Sequence, residues 1–217
     1  MRRFKRGQIV KFLQDNKPRY AIIVQNNTGN RFAPTLVVVE CEAMGVGLGK
    51  EKVTVNKKVY SVDCQKLFTI DKERVKKIVT MIDSEEMKSI NRSIVDTYMQ
   101  PKMRRFVFAK LGHEDLLGSE QAKDRPVLLL EEFEKDGQEA ALVALMTSQK
   151  KDNKQDTHIV FEKGEGGLEE DSVCMFEQIK LISKKQIVRE IGVCPMQRMQ
   201  QTMRAFAVSV GVKKPAV

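Results

Sequence analysis

Short apolar runs separated by polar clusters dominate the first half of the chain. The runs Gln8–Leu13, Tyr20–Val24 and Leu36–Val39 are rich in β-branched residues and predict three strands. The polar cluster Asn26–Asn30 predicts a turn between the second and third runs. A further short strand is predicted at Val53–Val55. This spacing indicates an antiparallel sheet with short connections.

The apolar period changes to that of a helix at the end of each half. In the first half, Asp83 and Glu86 have the spacing of a capping box. In the second half, Pro195 stands where the first turn of a helix tolerates proline. The apolar faces that follow are formed by Met87, Ile90, Ile94 and Tyr98 and by Met199, Met203, Phe206 and Val210. We therefore predict one core-facing helix at the end of each half.

The order of elements repeats along the chain, which predicts two tandem copies of one unit. Arg19–Val24 resembles Arg125–Leu130 at an offset of 106 residues, and Leu67–Lys72 aligns with Ile179–Lys184 at an offset of 112. A loop insertion of about six residues in the second copy accounts for the difference, because loops absorb insertions at small cost. We place the copies at residues 1–102 and 103–217.

Each copy then has strands first and one helix last. Strands at His158–Phe161 and Val173–Phe176 extend the pattern in the second copy. A small twisted barrel with a C-terminal helix packed against it satisfies this order. The predicted fold class is mainly β with helices (α+β), as two tandem small β-barrels.

The composition of the chain indicates the cellular compartment. The chain is 41% hydrophobic and 31% charged, which suffices to build a core and excludes a disordered protein. No apolar run approaches the roughly 18 residues of a transmembrane helix, and the N-terminus has no apolar signal region. We expect a cytoplasmic protein without a membrane partner.

The excess of positive charge is confined to the first copy. Residues 1–102 contain 20 Lys and Arg against 11 Asp and Glu, whereas residues 103–217 contain 18 of each. An excess on one half is typical of proteins with a polyanionic partner such as nucleic acid. A solvated basic surface is equally consistent with the charge alone.

The four cysteines stand singly, which argues against a zinc site or a disulfide framework. We interpret Cys41, Cys64, Cys174 and Cys194 as small buried hydrophobic residues. The chain has only two histidines, so chemistry that needs clustered histidines is excluded. No metal and no cofactor is predicted.

One loop points to a known family. Residues Gly118–Val127 read G-S-E-Q-A-K-D-R-P-V, and a G-S-E-Q loop that ends in Arg-Pro before an apolar strand resembles the MazF/PemK family of toxin endoribonucleases. Further stretches resemble the family in the same order, and the resemblance spans nearly the whole chain twice. They are Gln25–Thr35, Thr69–Arg74, Met146–Gln149, Thr157–Ile159, Asp171–Val173 and Glu177–Ile179.

The resemblance implies an SH3-like barrel of the CcdB/MazF type in each copy. Family members usually form homodimers with RNA lying across the dimer face, so a tandem chain is expected to form an intramolecular pseudo-dimer. Two duplicated domains that each pair with another chain are the alternative, and further oligomerisation stays open. The family also implies an acidic antitoxin as a partner.

The implied activity is metal-independent cleavage of single-stranded RNA, with mRNA as the substrate. The ribose 2′-hydroxyl attacks the phosphate and leaves a 2′,3′-cyclic phosphate. The resemblance assigns this chemistry to Arg125 and Thr147, because a guanidinium makes bidentate bonds to phosphate and a hydroxyl donates to it. The residues expected to bind RNA are Ser119, Glu120, Gln121, Ser148, Gln149 and Arg19.

The first copy departs from the family pattern. Its loop is shortened to Asp15–Pro18, Arg19 is followed by Tyr20 rather than proline, and the threonine position falls on Glu42. Carboxylates beside a phosphate site repel RNA. We therefore expect the first copy to be catalytically degenerate while it retains its positive charge.

Two other functions are consistent with the sequence. A toxin-like module could bind RNA or a partner protein without cleaving it. A gyrase-directed toxin like CcdB shares the barrel, and a fold does not fix a function.

Overall fold

The computed structural model describes residues 3–14, 17–43, 51–55, 58–98, 104–112, 124–135, 138–148 and 155–212. These residues fall into two compact units. The first contains the described residues up to 98 together with 209–212, and the second contains residues 104–208. Each unit is built on one six-stranded antiparallel sheet.

The sheet of the first unit has the strand order β4-β5-β3-β2-β1-β6. Its strands are β1 (Gln8–Gln14), β2 (Lys17–Ile23), β3 (Thr35–Ala43), β4 (Glu51–Val55), β5 (Lys58–Asp71) and β6 (Val75–Met81). One face of this sheet carries a cluster of buried residues that includes Phe12, Ala21, Val38 and Ile70. The alternation seen in the sequence thus supplies the core, as side chains two residues apart share a face.

The predicted turn at Asn26–Asn30 was wrong, because this segment begins a short helix, α1 (Asn27–Phe32). The Asn26 side chain accepts a hydrogen bond from the backbone N–H of Gly29 at 2.7 Å and so caps the helix. Asn30 is buried and its amide donates to the carbonyl of Gln25 at 3.0 Å. Asparagines that favour turns also favour N-caps, and here the cap is formed.

The helix predicted at the end of the first copy is confirmed as α2 (Ser84–Tyr98). Its capping box is present, since the N–H of Glu86 donates to Asp83 at 2.8 Å and the N–H of Asp83 donates to Glu86 at 3.1 Å. Ile90 and Ile94 are fully buried, and the hydroxyl of Tyr98 donates to the backbone of β5. The helix therefore packs through the face that its period predicts.

The second unit repeats this plan with the strand order β10-β11-β9-β8-β7-β12. Its strands are β7 (Arg105–Ala109), β8 (Arg125–Lys135), β9 (Gln138–Thr147), β10 (His158–Phe161), β11 (Ser172–Ser183) and β12 (Ile187–Val193). The last helix, α3 (Met199–Ser209), follows a short 3-10 helix that Pro195 precedes. Its Phe206 packs edge-on against Phe176 of β11, with 6.4 Å between ring centroids.

The strand registers of the two units correspond residue by residue. Arg19 lies opposite Phe12, and Arg125 lies opposite Ala109 in the equivalent strand pair. The long strands also bulge at the same point, because the pairing skips residues 64–66 in β5 and residues 176–178 in β11. The predicted tandem repeat is confirmed, and with it the mainly β class with helices.

The sequence pattern did not predict strands β6 and β12. β6 and β12 each follow a short 3-10 helix and pair with the first strand of their unit. Both are half exposed and carry charged residues, among them Lys76 and Lys77 in β6 and Arg189 and Glu190 in β12. A strand at the edge of a sheet that has no fully buried face shows little alternation of apolar and polar residues in its sequence.

We predict that Gly166→Ala destabilises the second unit by about 2–4 kcal/mol. Gly166 has φ of +55°, and an added Cβ would lie 2.6 Å from the buried ring of Phe106 and 2.6 Å from the carbonyl oxygen of Val193. Gly164→Ala is the matched control, because its φ is +91° but nothing lies within 4 Å of the added Cβ. Urea unfolding of both variants measures the difference. Equal losses would show that backbone strain alone, and not the contact with Phe106, makes the glycine necessary.

Candidate active site

The two residues predicted to cleave RNA lie at the ends of neighbouring strands. Arg125 is the first residue of β8 and is partly exposed. Thr147 is the last residue of β9, is partly exposed and lies opposite Val173 of β11. The sequence therefore placed both at strand ends, as the structure has them.

The register of β8 and β9 brings Arg125 and Thr147 to matching positions. Val127 lies opposite Leu145, and both belong to the buried core of the second unit. Arg125 precedes Val127 by two residues and Thr147 follows Leu145 by two. Since residues two apart in a strand share a face, both side chains belong to the core-facing side of the sheet where that core ends.

The residues predicted to bind RNA are only partly within the described structure. Ser148 follows β9 directly and is exposed. Arg19 lies in β2 of the first unit. Ser119, Glu120, Gln121 and Gln149 lie outside the described residues, so their assignment stays a prediction.

The equivalent positions of the first unit carry a different set of side chains. Tyr20 lies opposite Cys41 in the pairing of β2 with β3, and one further step places Arg19 at the level of Glu42. Glu42 thus has the register position that Thr147 has in the second unit. Two residues before it, Glu40 has the position of Leu145.

Four charged side chains of the first unit form an ion-pair cluster at these positions. Arg19 Nη1 lies 3.1 Å from Glu40 Oε1 and 4.0 Å from Glu42 Oε1. Lys66 Nζ lies 2.8 Å from Glu40 Oε2 and 3.3 Å from Glu42 Oε1. The side chain of Glu40 is only 9% exposed, whereas that of Arg19 is 44% exposed. The cluster consists of Arg19, Glu40, Glu42 and Lys66 and is named the four-charge cluster below.

The four-charge cluster pairs its two cations with two carboxylates. Burial lowers the pKa of Lys66, but its hydrogen bonds and charge interactions with Glu40 and Glu42 outweigh this effect and raise the pKa. Lys66 comes from the bulged residues of β5, and its equivalent in β11 is Gln178. The second unit therefore has Leu145, Thr147 and Gln178 where the first has two carboxylates and an ammonium group.

Sequence reasoning missed a buried pair in the second unit. His158 Nε2 lies 2.7 Å from Glu177 Oε1, and the His158 side chain is only 3% exposed. His158 opens β10, and Glu177 comes from the bulged residues of β11. Both belong to stretches that resemble the family, which was the available signal, but no period links residues 19 positions apart across a bulge.

Comparison with known proteins identifies the family. The sequence profile of the PemK-like, MazF-like toxins of type II toxin–antitoxin systems matches residues 5–97 and again residues 104–210. The chain belongs to this toxin family. The expectation of two tandem MazF/PemK units is thereby confirmed.

Curated relatives agree with this family. The chain is 31% identical to the endoribonuclease MazF of Staphylococcus saprophyticus, over 35% of this chain and 69% of that protein. It is 30% identical to the endoribonuclease MazF of Staphylococcus epidermidis, with the same coverage of both chains. The expectation of a MazF-type endoribonuclease is therefore confirmed at the level of the family.

Two of the similar solved structures come from mycobacteria. An endoribonuclease in complex with its cognate antitoxin is 19% identical, with a TM-score of 0.39 over 43% of this chain and 92% of that chain. The Mycobacterium tuberculosis toxin MazF-mt6 is 18% identical, with a TM-score of 0.40 over 51% of this chain and 99% of that chain.

The cysteines of this MazF-like chain are buried and free, as predicted. Burial is the largest cause that raises the pKa of Cys41 and of Cys64 to about 12 each, and neighbouring carboxylates raise both further. Burial also raises the pKa of Cys194 to about 11. These thiols are therefore protonated at neutral pH and act as small apolar groups.

The described part of the chain offers neither a metal-binding cluster nor a membrane-spanning helix. No group of three or more histidine, cysteine, aspartate or glutamate side chains in it is arranged to hold a metal ion. Among its helices, none combines the length and apolar character that crossing a bilayer requires.

We predict that alkaline pH destabilises the native chain through these thiols. The pKa of Cys41 is about 12 in the folded chain and 9.0 as its ordinary value, so the unfolded chain loses the proton first. The stabilisation is complete below pH 9 and is lost as the pH rises toward 12, by about 1 kcal/mol per thiol and pH unit. Urea unfolding between pH 8 and pH 10.5 measures this slope, which Cys41→Ala reduces by one thiol's share. An unchanged slope in Cys41→Ala would contradict the assignment.

Proposed function

We propose that this chain is a metal-independent endoribonuclease that cleaves single-stranded RNA at one site, on the second of its two domains. The domains are residues 1–102 and 103–217. The observation that carries the single-site proposal is the four-charge cluster, which compensates Arg19 in the first unit. The equivalent positions around Arg125 hold the uncharged residues Leu145, Thr147 and Gln178. A phosphate that approaches Arg125 meets no carboxylate at these positions.

The proposed chemistry needs positioning and charge stabilisation rather than a metal. The 2′-hydroxyl of the substrate attacks the adjacent phosphate, the bond to the 5′-oxygen of the next nucleotide breaks, and a 2′,3′-cyclic phosphate and a 5′-hydroxyl result. Arg125 supports this step because its planar guanidinium can hold two phosphate oxygens while negative charge develops on them. Thr147 supports it as a neutral donor to the same phosphate.

The proposed RNA contacts extend to the loops beside this site. Ser148 is exposed next to Thr147 and is assigned a backbone contact. Ser119, Glu120, Gln121 and Gln149 are assigned to the same substrate because they stand close to Arg125 or Thr147 in the sequence. Amide and carboxylate side chains in such loops can read the edges of unstacked bases.

The proposed partners follow from the family and the charge. A cognate antitoxin with an acidic segment fits a chain with a net charge of +9, and one of the similar mycobacterial endoribonucleases was solved with its antitoxin. Two MazF-like units in one chain support an intramolecular pseudo-dimer. An mRNA substrate places the activity in the cytoplasm.

We predict that Arg125→Ala loses at least about 100-fold of the cleavage rate, as removal of a donor to developing charge does elsewhere. Arg19→Ala is the matched control, because it removes the equivalent arginine from the four-charge cluster and should leave the rate unchanged. Both variants are incubated with a long RNA in EDTA, and the new 5′-hydroxyl and cyclic phosphate ends are mapped. Retained cleavage in Arg125→Ala would overturn the assignment, and loss in Arg19→Ala would show that the first unit contributes to cleavage, through RNA binding or catalysis.

We predict that Thr147→Glu abolishes cleavage because it gives the second unit the carboxylate that the first unit has at Glu42. Thr147→Ser keeps the hydroxyl and should retain activity, whereas Thr147→Ala should lose about tenfold, the value of one hydrogen bond. Rates are measured on one RNA after circular dichroism has shown that each variant is folded. A fully active Thr147→Glu would remove Thr147 from the site.

A further inference from the structure

A second surface of the first unit combines lysines with aromatic rings. It lies on the opposite face of β2 from Arg19, because successive residues of a strand point to opposite faces. Its members are Lys11, Lys77, Tyr20 and Tyr60, and it is named the Lys–Tyr face. Tyr20 and Tyr60 are two of the chain's three tyrosines.

Strand pairing aligns the four side chains. Lys11 of β1 lies directly opposite Tyr20 of β2 on one side and directly opposite Lys77 of β6 on the other. The Tyr20 ring contacts the Tyr60 ring, with 5.8 Å between centroids and planes tilted by 54°. Lys77 is exposed, and the other three side chains are partly exposed. The surface thus presents two positive charges followed by two phenol rings.

Lys11 and Lys77 have no acidic partner among the described residues of the first unit. Like charges directly opposite each other destabilise a sheet. Among the residues that the structure describes, no acidic side chain forms an ion pair with Lys11 or Lys77. An anion that binds between them would relieve this repulsion.

In the second unit, the arginine at the equivalent position has partners within the same unit. Arg189 replaces Lys77, and its guanidinium carbon lies 5.2 Å from the ring centroid of Phe108, which replaces Lys11. Arg189 also pairs with Glu169 at 3.4 Å. Pro126 and Ser172 replace the two tyrosines, so the second unit has no aromatic pair there. The Lys–Tyr face therefore belongs to the unit that carries all of the excess positive charge.

We propose that the Lys–Tyr face binds single-stranded RNA as a site distinct from the cleavage site, with phosphates at Lys11 and Lys77 and a base stacked on the tyrosine pair. Lysines along a backbone path beside aromatic rings are the combination by which proteins hold single strands without reading their sequence. An acidic peptide would use the lysines but would leave the partly exposed rings without a matching planar group. This inference rests on RNA being the substrate of the proposed function.

The test measures binding of RNA that cannot be cleaved. A fluorescent 2′-O-methyl oligouridine of about 20 nucleotides is titrated with the full chain at several salt concentrations, since it lacks the attacking 2′-hydroxyl. The double variant Lys11→Gln, Lys77→Gln should weaken binding and lower the slope of log K against log salt by about 1.4, the share of two phosphate contacts on a single strand. The double variant Tyr20→Thr, Tyr60→Thr should bind about tenfold more weakly with an unchanged salt slope.

The matched control is Lys163→Gln, Lys185→Gln, which removes the same charge from exposed positions of the second unit. An equal fall of the slope in this control would overturn the proposal, because net charge alone would then explain it. An unchanged slope in Lys11→Gln, Lys77→Gln would also overturn it, as would binding of an acidic peptide but not of RNA at this face. RNA cleavage that depends on Arg125 is measured separately. If the unaltered chain cleaves RNA but the variants of the Lys–Tyr face bind RNA normally, this inference is refuted and the proposed function is not.

Discussion

Cross-strand pairing in an antiparallel sheet holds opposite side chains about 5 Å apart, and both sheets use this constraint at the same place. In each unit, the second strand places an arginine at the level of the last or the last but one residue of the third strand. In the second unit that residue is Thr147, and in the first it is Glu42. The shared register therefore gives the arginine a neutral neighbour in the second unit and a carboxylate in the first.

The bulge in the long strand supplies a further charged side chain in each unit. The skipped residues of β5 present Lys66 to Glu40 and Glu42, whereas those of β11 present Glu177 to His158. A bulge turns a side chain away from the regular pleat and is frequent next to active sites. The same backbone irregularity therefore completes a network of charges in one unit and a buried histidine–glutamate pair in the other.

The repeat, the strands with buried faces and both terminal helices could be predicted, because each has a period or a cap that is local in sequence. The position of Glu42 beside Arg19 could also be predicted, because it requires only that residues be counted along two regularly paired strands. Lys66 and His158 could not be placed, because a bulge breaks the count between strands. β6 and β12 were missed because their outer position leaves no buried alternation, and Asn26 caps a helix where its sequence is equally suited to a turn.

The four-charge cluster bears on the orientation in which an RNA strand can bind. RNA has a polarity, and a symmetric pair of identical units offers it two equivalent orientations. A chain whose units differ at equivalent positions removes that equivalence. Fusion of the two units into one gene product also lets each unit change alone, whereas in a homodimer every substitution appears twice. For a chain that acts on RNA as proposed, asymmetry of this kind favours a single orientation of the bound strand.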